Sequence, residues 1–123
     1  MKSLSPVAGK KIVIIGQPGF LSDGARGALV ARQAVVVDRR VDAVAIHCLD
    51  ESLVCDAAII DVTISDEAML AINDWLETRR TPFVFAQDHR SEARSAGFVL
   101  SHRPADINAI VGALFGPDAG YYH

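Results

Sequence analysis

Very little in this sequence staples, anchors or charges the chain for a special environment. It has two cysteines in 123 residues, Cys48 and Cys55, too few for a disulfide framework and without metal-type spacing. They read as small buried side chains in a reducing cytosol, so a cytoplasmic protein is expected. No apolar run approaches the length needed to cross a bilayer, which excludes a helical membrane span on sequence grounds. Residues 1–10 lack the apolar core of a secretory signal and read as a tail, as do residues 117–123. Positive charge is not in excess: the formal net charge is −3, which leaves no basic footprint for nucleic acid. Internal repeats and low-complexity segments are missing as well. What is present is apolar residues, 50% of the chain, enough for one domain over 11–116 with its own core.

The organising stretch is Cys55-Asp56-Ala57-Ala58-Ile59-Ile60-Asp61-Val62-Thr63. Its apolar middle is too short for a helix and has no alternation, which suits a strand covered on both faces. Asp61 follows directly, at the carboxyl end of that strand, where ligands and chemistry gather in an open parallel α/β sheet. The plain structural alternative for Asp61 is a polar strand end that caps the following turn.

Around this strand, apolar runs alternate with helical periods. Lys11 and Ile12-Val13-Ile14-Ile15 predict a first strand, ended by the turn residues of 16–19. A helix follows, with Ser22 or Asp23 as its cap and Leu21, Ala25, Ala28, Leu29 and Arg32 on one stripe. Ala34-Val35-Val36-Val37 predicts a second strand, closed by Asp38-Arg39-Arg40 in a solvated turn. Residues 41–49 carry a helical period through Val41, Val44, Ala45 and Cys48. After the central strand, Ser65-Asp66-Glu67 starts a helix whose inward residues are Met69, Leu70, Ile72, Trp75 and Leu76, with Arg79 and Arg80 at its negative end. Pro82-Phe83-Val84-Phe85-Ala86 is a fourth strand and Gly97-Phe98-Val99-Leu100 a fifth, separated by a polar segment, 87–95, with little helix. The closing helix runs from Pro104 to Leu114 with Ile107, Ile110, Val111 and Leu114 inward, and Gly116-Pro117 stops it. Five alternations predict a three-layer α/β domain, a doubly wound five-stranded parallel sheet in the flavodoxin-like order 2-1-3-4-5. That order puts the 16–19 turn beside Asp61.

With these elements in place, the chain resembles the receiver domain of bacterial two-component response regulators from about Lys11 to Phe115. The run ending in Asp61 is similar to the family's acceptor strand, the 82–86 run to its fourth strand, and Leu100-Ser101-His102-Arg103-Pro104 to its fifth strand with a Lys-Pro end. The resemblance implies that Asp61 is the phosphoacceptor position. It also implies Mg²⁺ held by Asp61, by the backbone of Thr63, and by an acidic pair whose place is taken here by Gln17 and Pro18. A neutral amide and a proline remove most of the charge a hard cation needs, so no cofactor is expected and Mg²⁺ binding should be weak. The family's Ser/Thr switch position aligns with Gln87, its lysine with Arg103, and its aromatic switch with Leu100 or Val99. The resemblance therefore implies a stand-alone, atypical receiver in phosphorelay signalling. It is then expected not to be an enzyme, to have no output domain, and to act by docking to a histidine kinase, another regulator, or a second copy through the face from the fourth strand to the closing helix. A working phosphoryl acceptor is the competing expectation.

Other residues carry weaker signals. His47 reads as a half-buried helix residue, and His89 and His102 lie near the sheet mouth without a metal spacing. Trp75 reads as core and Asp56 as a loop residue. Gly16-x-x-Gly19 followed by Asp38 admits a nucleotide- or flavin-binding reading, weakened by the missing glycine pair and by Pro18, which has no amide to offer a phosphate.

Overall fold

Short apolar runs form strands and amphipathic stretches form helices in the order β1 (Lys11–Gly16), α1 (Asp23–Ala31), β2 (Val35–Arg40), β3 (Ala57–Asp61), α2 (Asp66–Thr78), β4 (Phe83–Asp88), β5 (Phe98–Leu100) and α3 (Pro104–Phe115). The computed structural model describes residues 8–17, 19–40, 55–88 and 98–115, the side chains of Arg39, Arg40 and Asp88 excepted. The helical period at 41–49, the 87–95 segment beyond Asp88, and the stop at Gly116-Pro117 lie outside the described residues, as do His47, Cys48 and His89.

All five strands are parallel, in the order β2-β1-β3-β4-β5. This is the doubly wound, flavodoxin-like arrangement that the alternation predicts. β1 and β3 are interior strands, and Ile12, Val13, Ile14, Ile15, Ala57, Ala58, Ile59 and Ile60 are all fully buried. Their unbroken apolar runs follow from having helices over both faces.

The pleat divides these residues between two cores. On one face α1 and α3 pack Leu29, Ile107, Ile110 and Leu114 against Ile12, Ile14, Ile59 and Val84. On the other, α2 packs Ile72 and Leu76 against Val13, Ile15, Ile60 and Phe83. The first turns are capped as expected: the Ser22 hydroxyl accepts from the Ala25 N–H and that of Ser65 from the Ala68 N–H, each at 3.1 Å. The chain before β1 is already tied to the sheet, since Gly9 donates to the Gln33 carbonyl and Val35 to that of Lys10, both at 2.8 Å.

Three details differ from expectation. Asp38, Arg39 and Arg40 continue β2 instead of closing it in a turn, in register with Ile14, Ile15 and Gly16; β2 is an edge strand, where charged residues are tolerated. β4 likewise runs on through Gln87 and Asp88. Leu70, expected to face inward, is 71% exposed. It lies two residues from Ile72, about 200° around the helix, while Met69, Trp75 and Leu76 fall nearer the buried side.

Helices α1 and α2 end alike. Ala34 donates to the Leu29 carbonyl at 3.2 Å and Thr81 to that of Leu76 at 3.0 Å, with Gln33 (φ 68°) and Arg80 (φ 54°) in the left-handed conformation between. This is the Schellman termination, usually made by glycine. Gln33→Gly or Arg80→Gly is expected to raise stability by up to about 1 kcal/mol by relieving Cβ strain, whereas Leu76→Ala should cost about 2–5 kcal/mol. Urea unfolding of the three variants checks both signs.

Candidate functional site

The carboxyl ends of β1 and β3 lie side by side, at the crevice where the strand order reverses. Along β1 the residues facing α1 and α3 are Ile12, Ile14 and then Gly16; along β3 they are Ala57, Ile59 and then Asp61. Asp61 therefore continues an apolar column, and it is only 2% exposed.

A buried carboxylate is costly unless donors surround it. Here they come from two loops. Oδ1 accepts from the Thr63 N–H at 2.9 Å and the Thr63 hydroxyl at 2.7 Å, and Oδ2 accepts from the Gln17 N–H at 3.1 Å. One bond set closes the turn after β3, and the other reaches across to the turn after β1. A carboxylate has only acceptors, and both of its oxygens are engaged.

Gly16 is needed for packing as much as for turning. A Cβ placed on it would lie 2.7 Å from Asp61 Cβ and 2.7 Å from Phe20 Cδ2. The Phe20 ring thus occupies the space a side chain at 16 would take, and it is itself 2% exposed. Gly19, at φ 90°, gives the reversal that brings Phe20 inward, and the Phe20 N–H donates to the Gln17 carbonyl at 3.0 Å.

The other residues singled out from the sequence are dispersed around this point. Gln17 is exposed and reaches Asp61 through its backbone, not its side-chain amide. Pro18 lies outside the described residues. Thr63 is exposed and acts on Asp61 as a donor. Gln87 is buried in β4, but the residue in register with Asp61 is Ala86. The alternation that puts Val84 and Ala86 on the α1/α3 face, with Phe83 and Phe85 on the α2 face, assigns Gln87 to the α2 side. Arg103 is exposed, and its guanidinium makes no ion pair with Asp61; the ion pair among the described residues is Arg26–Asp38, 3.4 Å and exposed. In β5, Leu100 is fully buried and Val99 partly so.

The turn after β5 has its own polar fastening, which the sequence reading missed. Ser101, buried, donates from its hydroxyl to Asp106 at 2.7 Å and accepts from the Arg103 N–H at 3.0 Å. His102 is exposed and lies against Gly24 of α1, where an added Cβ would come within 3.1 Å of His102 Cβ. A serine three residues before a helix-opening proline was the available signal. Asp56 accepts from the Lys11 N–H at 2.7 Å, which joins the starts of β1 and β3.

The described residues do not form a cluster suited to hold a divalent cation tightly. Among the described residues one carboxylate faces the crevice, its oxygens are turned onto N–H and O–H donors, and the neighbours at 16 and 17 are neutral. Nor does the first turn form an open phosphate nest, because Gly16 is filled in by Asp61 and Phe20. Away from the crevice, the Arg79 guanidinium stacks 4.5 Å from the centroid of the half-buried Trp75 ring. Burial, reinforced by Asp56, pushes the Cys55 thiol up, with Arg79 and Lys11 pulling against it. That protonated, half-buried thiol is a poor nucleophile at neutral pH.

No protein-family model, no curated protein and no solved structure matches the chain. No helix among the described residues is long and apolar enough to cross a membrane.

Two substitutions probe this geometry. Asp61→Asn replaces one acceptor oxygen by a donor facing a donor, and should cost about 1–3 kcal/mol without changing the fold. Gly16→Ala must displace Phe20 or Asp61 and should cost on the order of 1–3 kcal/mol. Denaturant midpoints with far-UV circular dichroism measure both; values within about 0.5 kcal/mol of the parent would contradict the packing described.

Proposed function

We propose that the chain is an atypical receiver-like module of two-component signalling, in which Asp61 stands at the acceptor position but serves chiefly to hold two loops together. The module acts by docking to a protein partner in the cytoplasm. The observation that supports this most directly is the state of Asp61: it ends the central strand at the switch point, where a receiver's acceptor belongs, yet both its oxygens are bound by Gln17 and Thr63.

The electrostatics favour docking over phosphoryl chemistry. A phosphoryl group on Asp61 would bring close to two negative charges into a buried position, and would displace the hydrogen bonds that now balance one. Cations stabilise that charge in phosphoryl transfer, and among the described residues no cluster of metal-ligating side chains and no ion pair from Arg103 supports Asp61. Slow phosphorylation, or none, and weak Mg²⁺ binding follow. The partners of this reading are a histidine kinase, another regulator, or a second copy of the chain, meeting the face from β4 to α3.

Titrating a histidine-kinase dimerisation domain into the ¹⁵N-labelled chain should shift amides of β4 and α3, and acetyl phosphate with Mg²⁺ should leave the intact mass unchanged. Prompt, stoichiometric gain of one phosphoryl group, lost in Asp61→Asn, would establish a working acceptor instead. No amide shift on that face with any two-component partner, and no self-association, would remove the docking reading.

A further inference from the structure

We infer that Phe20 is an internal plug, a single side chain that fills the crevice between the ends of β1 and β3 and seals Asp61 from solutes. Its geometry stands without the signalling reading, and only its consequence for phosphate or cation access rests on it.

Four observations converge on Phe20. Its ring lies where a side chain at Gly16 would be, against the same point that Asp61 Cβ approaches to 2.7 Å, so ring and acid are immediate neighbours. The ring is almost wholly buried and belongs to the α1/α3 core. The backbone on either side is pinned: Gln17 by its bond to Asp61, Ser22 by its cap on α1. Gly19 takes the left-handed conformation that turns the chain inward.

In a doubly wound sheet this crevice is the place left for a ligand. Here an aromatic ring from the protein's own first turn fills it, and an apolar ring offers neither charge nor hydrogen bonds to an anion or a hydrated cation. The neutral residues at 16 and 17 and the presence of the ring are thus separate obstacles at one site. Removing the ring should uncover Asp61 while leaving the strand register and the α1 cap in place, because neither depends on it for a hydrogen bond.

Carboxyl labelling of the full chain with a water-soluble carbodiimide and glycine ethyl ester, read by peptide mass spectrometry, tests this directly. Asp66, exposed at the start of α2, serves as the internal reference. In the parent protein Asp61 should label at least about a hundredfold more slowly than Asp66, and in Phe20→Ala within about tenfold of it. Phe20→Leu should stay near the parent, since it keeps most of the plug. Labelling of Asp61 at the Asp66 rate in the parent overturns the inference, as does continued protection in a Phe20→Ala protein that still melts cooperatively. Should Phe20→Ala not fold, the series Phe20→Leu, Phe20→Val carries the same comparison: the rate should rise as the side chain shrinks, and a flat series overturns the plug. Labelling that follows this pattern in a protein with no two-component partner would leave the plug standing and the signalling reading fallen.

Discussion

The bonds from Thr63 and Gln17 to the buried carboxylate of Asp61 are what the upper edge of this sheet depends on, because a charge so far out of solvent must be met by donors. Those donors belong to two different loops, one following β3 in sequence and one following β1. Each loop has to be in place for the acid to be buried, and the buried acid in turn holds each loop. In a metal-binding site of similar position, a cation would supply part of this balance. Here the backbone and one hydroxyl supply it among the described residues.

The rest of the crevice follows from the same column of residues. Gly16 stands beside Asp61 on the face covered by α1 and α3, and the missing side chain at 16 makes room for Phe20. Phe20 joins the apolar core on the side of α1, so the hydrophobic layer that begins with Ile12 and Ile14 closes over the edge of the sheet. Below it, β1 and β3 are buried on both faces. The central strands are therefore enclosed by helices on two sides and by an aromatic side chain at the end where a doubly wound fold is usually open.

Much of this architecture was legible because parallel sheets and amphipathic helices write strong periods. The runs at 12–15 and 57–60 could be little other than interior strands, and the caps at Ser22 and Ser65 follow from their hydroxyls standing before apolar-periodic stretches. The position of Asp61 beside the first turn followed from strand order alone. What escaped the sequence depends on register and three-dimensional fit. Which residue of β4 stands in register with Asp61 is one such feature: the pairing puts Ala86 there, with Gln87 the next residue along. Leu70 was assigned inward by composition, and helix geometry turns it out. Gly16 carried the signature of a turn, while it is constrained equally by Asp61 and by the aromatic ring four residues later, contacts that no local pattern announces.

Asp61 is first of all a structural group that holds two loops, and amide exchange measures that role most directly. In the parent protein the Gln17 and Thr63 N–H groups should exchange slowly, and in Asp61→Ala both should accelerate by at least about tenfold while Ile14 and Ile59 in the strands remain protected. Exchange of the Gln17 amide at the rate of an open loop in the parent protein, unchanged by Asp61→Ala, would contradict the account.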